Sequence, residues 1–163
     1  MKHIASALIL TIVIGLAGCA TPGGRISGSP SNLDQQRMAV LTQAVLKRGG
    51  SVSELFFLEV PSASDAIADY LSVGLIKAGT SSSTMDALLT LLQKAPGAQV
   101  VVFGDSDAVT AASVQGVFKN LRISPDHSKT ILWVALKNPS IHAEGLRAAA
   151  QTAAVRLEIL QTL

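Results

Sequence analysis

From residue 33 onwards, two hydrophobic patterns alternate along the chain. Residues 55–60, 99–103 and 130–136 are short, almost wholly apolar runs bounded by Pro, Gly or polar turn residues. Runs of this kind are typical of strands buried on both faces of a sheet. The segments between them are longer, and their apolar residues recur every three or four positions, which is helical spacing. The chain is therefore predicted to alternate between helices and strands.

The helical segments have recognisable ends. Asn32 is a candidate N-cap for the first helix, and Gly49-Gly50 ends it. The last helix is expected to begin near Pro139, because Leu and Ala residues keep helical spacing from there to Leu163. The second helix carries an apolar stripe of Ile67, Leu71, Leu75 and Ile76. The predicted helices span residues 33–48, 64–79, 84–94, 108–121 and 139–163.

This order of elements predicts an α/β fold. Apolar strands separated by helices favour a parallel sheet covered on both faces, with right-handed crossovers. We expect residues 33–163 to form one small three-layer domain, with a short, mainly parallel three-stranded sheet flanked by about five helices. A sheet of three strands is narrow, so the linker, a partner or another copy is expected to cover an edge.

The first 18 residues are typical of an export signal. Lys2 and His3 make a short positive start, and residues 4–16 are apolar almost throughout. A membrane-spanning helix needs about 20 apolar residues, so this run is short for an anchor. Small residues follow it, as in signals that are cleaved. Residues 1–18 are therefore predicted to be a signal peptide.

The segment Leu16-Ala17-Gly18-Cys19 resembles the lipobox of bacterial lipoproteins, and all four positions match. The resemblance implies transfer of diacylglycerol to the Cys19 sulfur, cleavage between Gly18 and Cys19, and acylation of the new N-terminus. Each buried methylene contributes about 0.8 kcal/mol, so two or three acyl chains hold a protein on a membrane almost permanently. The expected partner of the N-terminus is therefore a membrane.

Residues 19–32 are predicted to be the lipidated cysteine and a flexible linker. Gly, Ser and Pro dominate them, which gives a typical reach of about 20 Å. In lipoproteins of enteric-type bacteria, an aspartate directly after the cysteine favours retention in the inner membrane. Ala20 stands there in this chain, so the resemblance implies the outer membrane, on its periplasmic side.

Composition argues against several functions. Cys19 is the one cysteine, so packing and not disulfides must stabilise the domain. The net charge of +2 comes from interspersed residues and aromatic residues make up 4%, so nucleic-acid binding is not expected. His127 and His142 each lack a second ligand at metal-binding spacing, and no phosphate-binding glycine motif is present. No cofactor or metal is expected.

Gly104-Asp105-Ser106 follows the strand 99–103 and resembles the first block of the GDSL hydrolases. The resemblance implies that Ser106 is a nucleophile and that backbone amides at the helix start polarise a carbonyl. Asp107 stands where that family commonly has leucine, and the chain has no Asp-x-x-His pair near its C-terminus. The structural alternative is that Asp105, Ser106 and Asp107 form a turn and an N-cap at the helix start.

The same acidic turn is also a candidate ligand site. Asp105 and Asp107 lie at the carboxyl end of a strand, where open parallel sheets bind ligands, and Asp65 follows another strand. A hard cation needs several oxygen ligands, however, and only two carboxylates are close in the sequence.

These observations lead to three functional hypotheses. The first is an outer-membrane lipoprotein that acts as a non-enzymatic accessory or structural subunit of a cell-envelope assembly, such as secretion, pilus, polysaccharide-export or cell-wall machinery. It would bind an envelope protein or further copies of itself, through a sheet edge or the Ala-rich final helix. The alternatives are a lipid-anchored GDSL-like hydrolase using Ser106 and a periplasmic module that binds a small ligand or cation.

Overall fold

A computed structural model gives the structure of residues 32–63, 65–121 and 129–162. The predicted signal peptide, Cys19, the linker up to Ser31, and His127 lie outside these residues. In chain order the elements are α1 (Asn32–Lys47), β1 (Leu55–Val60), α2 (Ala66–Lys77), α3 (Ser83–Lys94), β2 (Gln99–Gly104), α4 (Asp107–Asn120), β3 (Ile131–Leu136), α5 (Pro139–Ala153) and β4 (Arg156–Gln161).

The prediction of an α/β fold with a parallel sheet and five helices is confirmed for the described part of the chain. β2 is buried at all six positions, as its unbroken apolar sequence predicts. Capping residues set the helix starts. Asp65 and Ser82 accept hydrogen bonds from the amides of Ala68 and Met85 in the first turns of α2 and α3.

The predicted number of strands is wrong, because the sheet within the described residues has four strands and not three. The last helix does not continue to Leu163. It ends at Ala153, and Ala154 takes a left-handed conformation with φ of 56°. Val155 N then donates to Ala150 O, which closes the helix end. The chain continues as β4, which pairs in parallel with β3.

The spacing of Leu157 and Leu160 explains this error. Three residues apart, they match a helical stripe, but in β4 they lie on opposite faces of the sheet. Both faces of β4 contact apolar neighbours, so its sequence lacks the alternation that identifies a strand with one exposed face.

The strand order is β1-β2-β3-β4, and every neighbouring pair is parallel. Residues of all the crossover helices, α2 to α5, pack with the same face of the sheet. The three crossovers therefore share one hand, as the rule for parallel strands requires. α4 is the most deeply buried helix and contacts α2, α3 and α5.

α1 covers the opposite face of the sheet. Its Leu41 and Val45 pack with Val101, Phe103 and Trp133. Trp133 Nε1 donates to Gln99 Oε1 at 3.3 Å, so the polar atom of this buried indole is satisfied. In the described ranges, no helix is both long enough and apolar enough to cross a bilayer.

Candidate functional site

The carboxyl ends of the parallel strands bring several charged residues to one edge of the sheet. Glu59 is the penultimate residue of β1, Asp105 follows β2, and Lys137 follows β3. Arg37 reaches the same edge from α1, which packs on the face of the sheet opposite to the crossover helices. The predicted ligand-site residues thus belong to a larger polar cluster, which we call the strand-end cluster: Arg37, Glu59, Asp105, Ser106, Asp107 and Lys137.

Arg37 is the centre of the strand-end cluster. Its Nη1 lies 3.0 Å from Asp105 Oδ1 and 3.7 Å from Glu59 Oε1, and its Nη2 donates to Gly104 O at 2.9 Å. Its guanidinium also lies over the Phe103 ring, 4.9 Å from the centroid. These contacts fasten α1 to the ends of β1 and β2. Nothing in the local sequence around Arg37 could have indicated them, because they depend on where α1 crosses the sheet.

Asp107 joins the start of α4 to the segment after β3. Its Oδ1 accepts a hydrogen bond from Lys137 N at 2.9 Å, and its Oδ2 accepts one from Asn138 N at 2.7 Å. Lys137 Nζ donates to Asp105 O at 3.0 Å, which adds a second link between the same two segments. Each carboxylate oxygen of Asp107 therefore has a protein donor.

Ser106 is the N-cap of α4. Its Oγ accepts a hydrogen bond from Val109 N at 3.5 Å. In the part of the chain that the structure describes, no hydrogen bond joins Ser106 to His142, and the nearby Asp105 carboxylate is bonded to Arg37. A serine needs an adjacent general base to act as a nucleophile. The described geometry therefore assigns Ser106 a capping role.

In the described part of the chain, the acidic residues do not converge on a cation site. Among residues 32–63, 65–121 and 129–162, no group of three or more His, Cys, Asp or Glu side chains is arranged to hold a metal ion. Asp65, which the sequence placed as a further candidate, caps α2 through Ala68 N. A cavity of about 480 Å³ opens beside Arg37 and Lys137, but both cations already bind Asp105 atoms.

Helix α2 carries exposed apolar side chains away from the strand-end cluster. This helix has no buried residue, and its large apolar side chains Ile67, Tyr70, Leu71 and Leu75 are 57–79% exposed. We call these four residues the α2 surface. Their spacing places them along one side of the helix, while Val73 and Ile76 pack against the core. The apolar stripe was visible in the sequence, but a stripe does not reveal whether the core or a partner covers it.

Gly74 lies within the α2 surface. A glycine in a helix interior costs roughly 0.5–1 kcal/mol relative to alanine. A Cβ added to Gly74 would meet no heavy atom within 4 Å, so no described neighbour requires the missing side chain. The space above Gly74 is open to whatever approaches α2 from outside.

The Ala-rich α5, where a partner contact was expected, uses its small residues inside the fold. Ala143, Ala150 and Ala153 are buried with Leu146. Its exposed side carries Glu144 and other polar residues, and the single large apolar residue there is Ile141, among those described. Of these two helices, α2 therefore carries more exposed large apolar side chains than α5.

No protein-family model matches the chain, and neither does any curated protein or solved structure. The functional argument accordingly rests on the residues themselves.

Proposed function

We propose that this protein is an outer-membrane lipoprotein that acts as a non-enzymatic accessory or structural subunit of a cell-envelope assembly. Lipid on Cys19 holds it at the membrane, on the periplasmic side, and residues 20–31 serve as a flexible linker to α1. The folded domain works by contact with protein, and the α2 surface is the contact site.

The exposure of the α2 surface carries this proposal. A helix that is apolar around most of its circumference is normally buried, and only Asp69, Ser72 and Lys77 interrupt the apolar and small residues of α2. Burial of apolar surface contributes about 25 cal/mol per Å². Contiguous exposed apolar patches on soluble domains commonly mark interaction sites. Protein contact accounts for the composition of α2 in a way that the isolated fold does not.

The strand-end cluster supports the non-enzymatic part of the proposal. Arg37, Asp105, Ser106 and Asp107 all hold elements of the fold together. Neither the GDSL-like hydrolase nor the cation-binding module gains a specific observation from the described residues, so the contact function is preferred to both.

The matched pair Ile67 and Ile141 allows a direct test of the contact site. Both are isoleucines on helices, 75% and 74% exposed, but only Ile67 belongs to the α2 surface. A photo-crosslinking amino acid is placed at each position of the full-length chain, and intact cells are irradiated. We expect discrete protein adducts from position 67 and only background from position 141.

Adducts are analysed by size and by mass spectrometry. Equal adduct yields at the two positions would contradict a specific contact site on α2. Ester hydrolysis by the purified protein that is lost in Ser106→Ala would contradict the non-enzymatic assignment.

A further inference from the structure

We propose that the folded domain docks on the anionic surface of its own membrane through the amino ends of the sheet strands. This inference rests on the proposed function, because lipid on Cys19 brings the domain to that membrane. It goes beyond the anchor, since it gives the domain a membrane-facing side and an orientation. Exposed positive charge and exposed apolar side chains at these strand ends carry the inference.

Helix ends and strand starts meet at the amino ends of the strands. Gln99, the first residue of β2, exchanges hydrogen bonds with Ser51 at 3.0 and 3.2 Å, so the end of α1 lies there. Gly97 N donates to Thr130 Oγ1 at 3.3 Å, which brings the segment after α3 to the start of β3. α4 is about 21 Å long and a six-residue strand about 20 Å, so α4 runs from the carboxyl end of β2 back to this edge.

Positive charge collects at the amino ends. Helix dipoles favour lysine at the ends of helices, but Lys129 and Arg156 precede or begin strands, so helix ends do not account for them. Glu54 and Glu158 are the acidic residues nearby in the described part of the chain, and Glu158 pairs with Arg156 at 3.6 Å. Five exposed basic residues, which we call the basic edge, lie here: Lys47, Lys94, Lys119, Lys129 and Arg156.

Negative charge collects at the opposite end. Asp69 accepts from Ala63 N, just after β1, and Thr84 of α3 donates to Glu59 O, so the first turns of α2 and α3 lie near the carboxyl end of β1. The carboxylates of this end are Glu59, Asp65, Asp69, Asp86, Asp105 and Asp107. Charges that are interspersed along the sequence are thus separated in space. An anionic surface attracts one end of the domain and repels the other.

Exposed apolar side chains lie beside the basic edge. Leu46 is in the last turn of α1, Val52 lies between α1 and β1, and Phe56 is the second residue of β1. These three side chains belong to residues that are 40–58% exposed. Protein surfaces that lie in the membrane interface combine Lys or Arg with Phe and Leu in this way. Charge alone suffices for a soluble polyanion, so the apolar side chains favour a bilayer as the partner.

The linker is long enough for this orientation. α1 begins at the carboxyl end of the strands, where Arg37 donates to Gly104 O, and its 16 residues are about 24 Å long. Residues 19–31 must span this length when the basic edge faces the membrane. Their typical reach is about 20 Å and their full extension about 43 Å. The orientation therefore costs linker entropy but is within reach.

Lysine labelling of the full acylated chain tests the orientation without any substitution. The protein is reconstituted through its lipid into zwitterionic vesicles with or without an anionic phospholipid, and amine labelling is followed by mass spectrometry. On anionic vesicles, Lys47, Lys94 and Lys119 should be labelled at least fivefold more slowly than on neutral vesicles. Lys137, at the opposite end, is the internal control and should keep its rate. High salt should remove the difference, because it screens exposed charges.

Charge reversal tests the position of the basic edge. Lys94→Glu combined with Lys119→Glu should return the labelling of Lys47 on anionic vesicles to its rate on neutral vesicles. The control combines Lys77→Glu with Arg147→Glu, which are exposed outside the basic edge and change the net charge equally. This control should keep the slow labelling of Lys47. Equal effects of the two pairs would overturn a defined docking edge.

The apolar contribution and the partner are tested on the same vesicles. Val52→Asp should weaken the protection of Lys47, whereas Ile141→Asp, at an exposed isoleucine of α5, should not. Protection by a soluble polyanion but not by anionic lipid would overturn the membrane as the partner. Equal labelling on both vesicles would overturn the docking and leave the lipid anchor standing. A parent chain that attaches to neither kind of vesicle would instead contradict the proposed function.

Discussion

At the scale of single residues, the strand-end cluster shows how a chemically suggestive sequence can serve structure. Asp105, Ser106 and Asp107 lie at the carboxyl end of a parallel strand, where ligand sites are common. Their polar atoms are nevertheless engaged by Arg37, Val109 N, Lys137 N and Asn138 N. At the carboxyl ends of parallel strands the chain turns into helices, and the first amides of each helix need hydrogen-bond acceptors there whether or not a ligand binds.

The two acidic residues should differ in their contributions to stability. Asp107→Ala removes the acceptor of two backbone amides and a negative charge from the first turn of α4, so we expect a loss of about 1–2 kcal/mol. The Asp105 side chain is 68% exposed and makes a surface ion pair, so Asp105→Ala should cost less than about 1 kcal/mol. Urea unfolding followed by Trp133 fluorescence measures both. A greater loss for Asp105→Ala would contradict the structural role given to Asp107.

At the scale of elements, the end of α5 decides the width of the sheet. The apolar spacing through Leu157 and Leu160 is compatible with either a helix or a strand. The left-handed backbone at Ala154 separates the two elements, and pairing with β3 then satisfies the backbone of β4. No glycine marks the end of α5 in the sequence, so the usual signal for a helix end is absent.

Ala154→Gly tests this boundary by the sign of its effect. Alanine is strained in the left-handed region and glycine is not, so the substitution should raise the free energy of unfolding by about 0.5–1 kcal/mol. If the helix continued through this position, the same change would lower it by a similar amount. Ala153→Gly, in the last helical residue, is the control and should destabilise. Urea unfolding of the three proteins distinguishes the two outcomes.

At the scale of the whole molecule, the two faces of the sheet are covered unequally. Four crossover helices lie on one face, whereas α1 contributes the helical residues of the core on the other. α1 begins at Asn32, where the predicted linker ends. The proposed flexible linker to the membrane therefore continues directly into α1. Arg37 of this helix hydrogen-bonds to residues at the strand ends.

Membrane attachment should depend on the Cys19 thiol. Cys19→Ser removes the acceptor for diacylglycerol, so we expect loss of cleavage after Gly18 and loss of acyl labelling. Thr21→Ser, two residues away, is the matched control and should behave as the parent does. Gel mobility and incorporation of labelled palmitate measure the effect, and unchanged labelling of Cys19→Ser would contradict the lipoprotein assignment.

Ala20→Asp should move the protein from the outer to the inner membrane fraction in density-gradient separation.

What could be predicted from sequence followed from local chemistry. The unbroken apolar runs in β2 and β3 identified those strands, since such runs are buried on both faces. The run in β1 also predicted a strand, but Glu59 interrupts it and Val60 is its one buried residue. Cap residues such as Asp65 located helix starts within one or two positions. The lipobox stays a prediction, and it rests on the four consecutive residues Leu16 to Cys19 alone.

Tertiary structure alone decided the features that depend on distant neighbours. β4 is a strand because β3 offers an unpaired edge, and Arg37 joins the strand-end cluster because α1 crosses there. The stripe of α2 is exposed because α4 packs against the other side of this helix, where Ile76 contacts the core. Periodicity specifies which residues share a face, but the face is buried or exposed according to what the rest of the chain places against it.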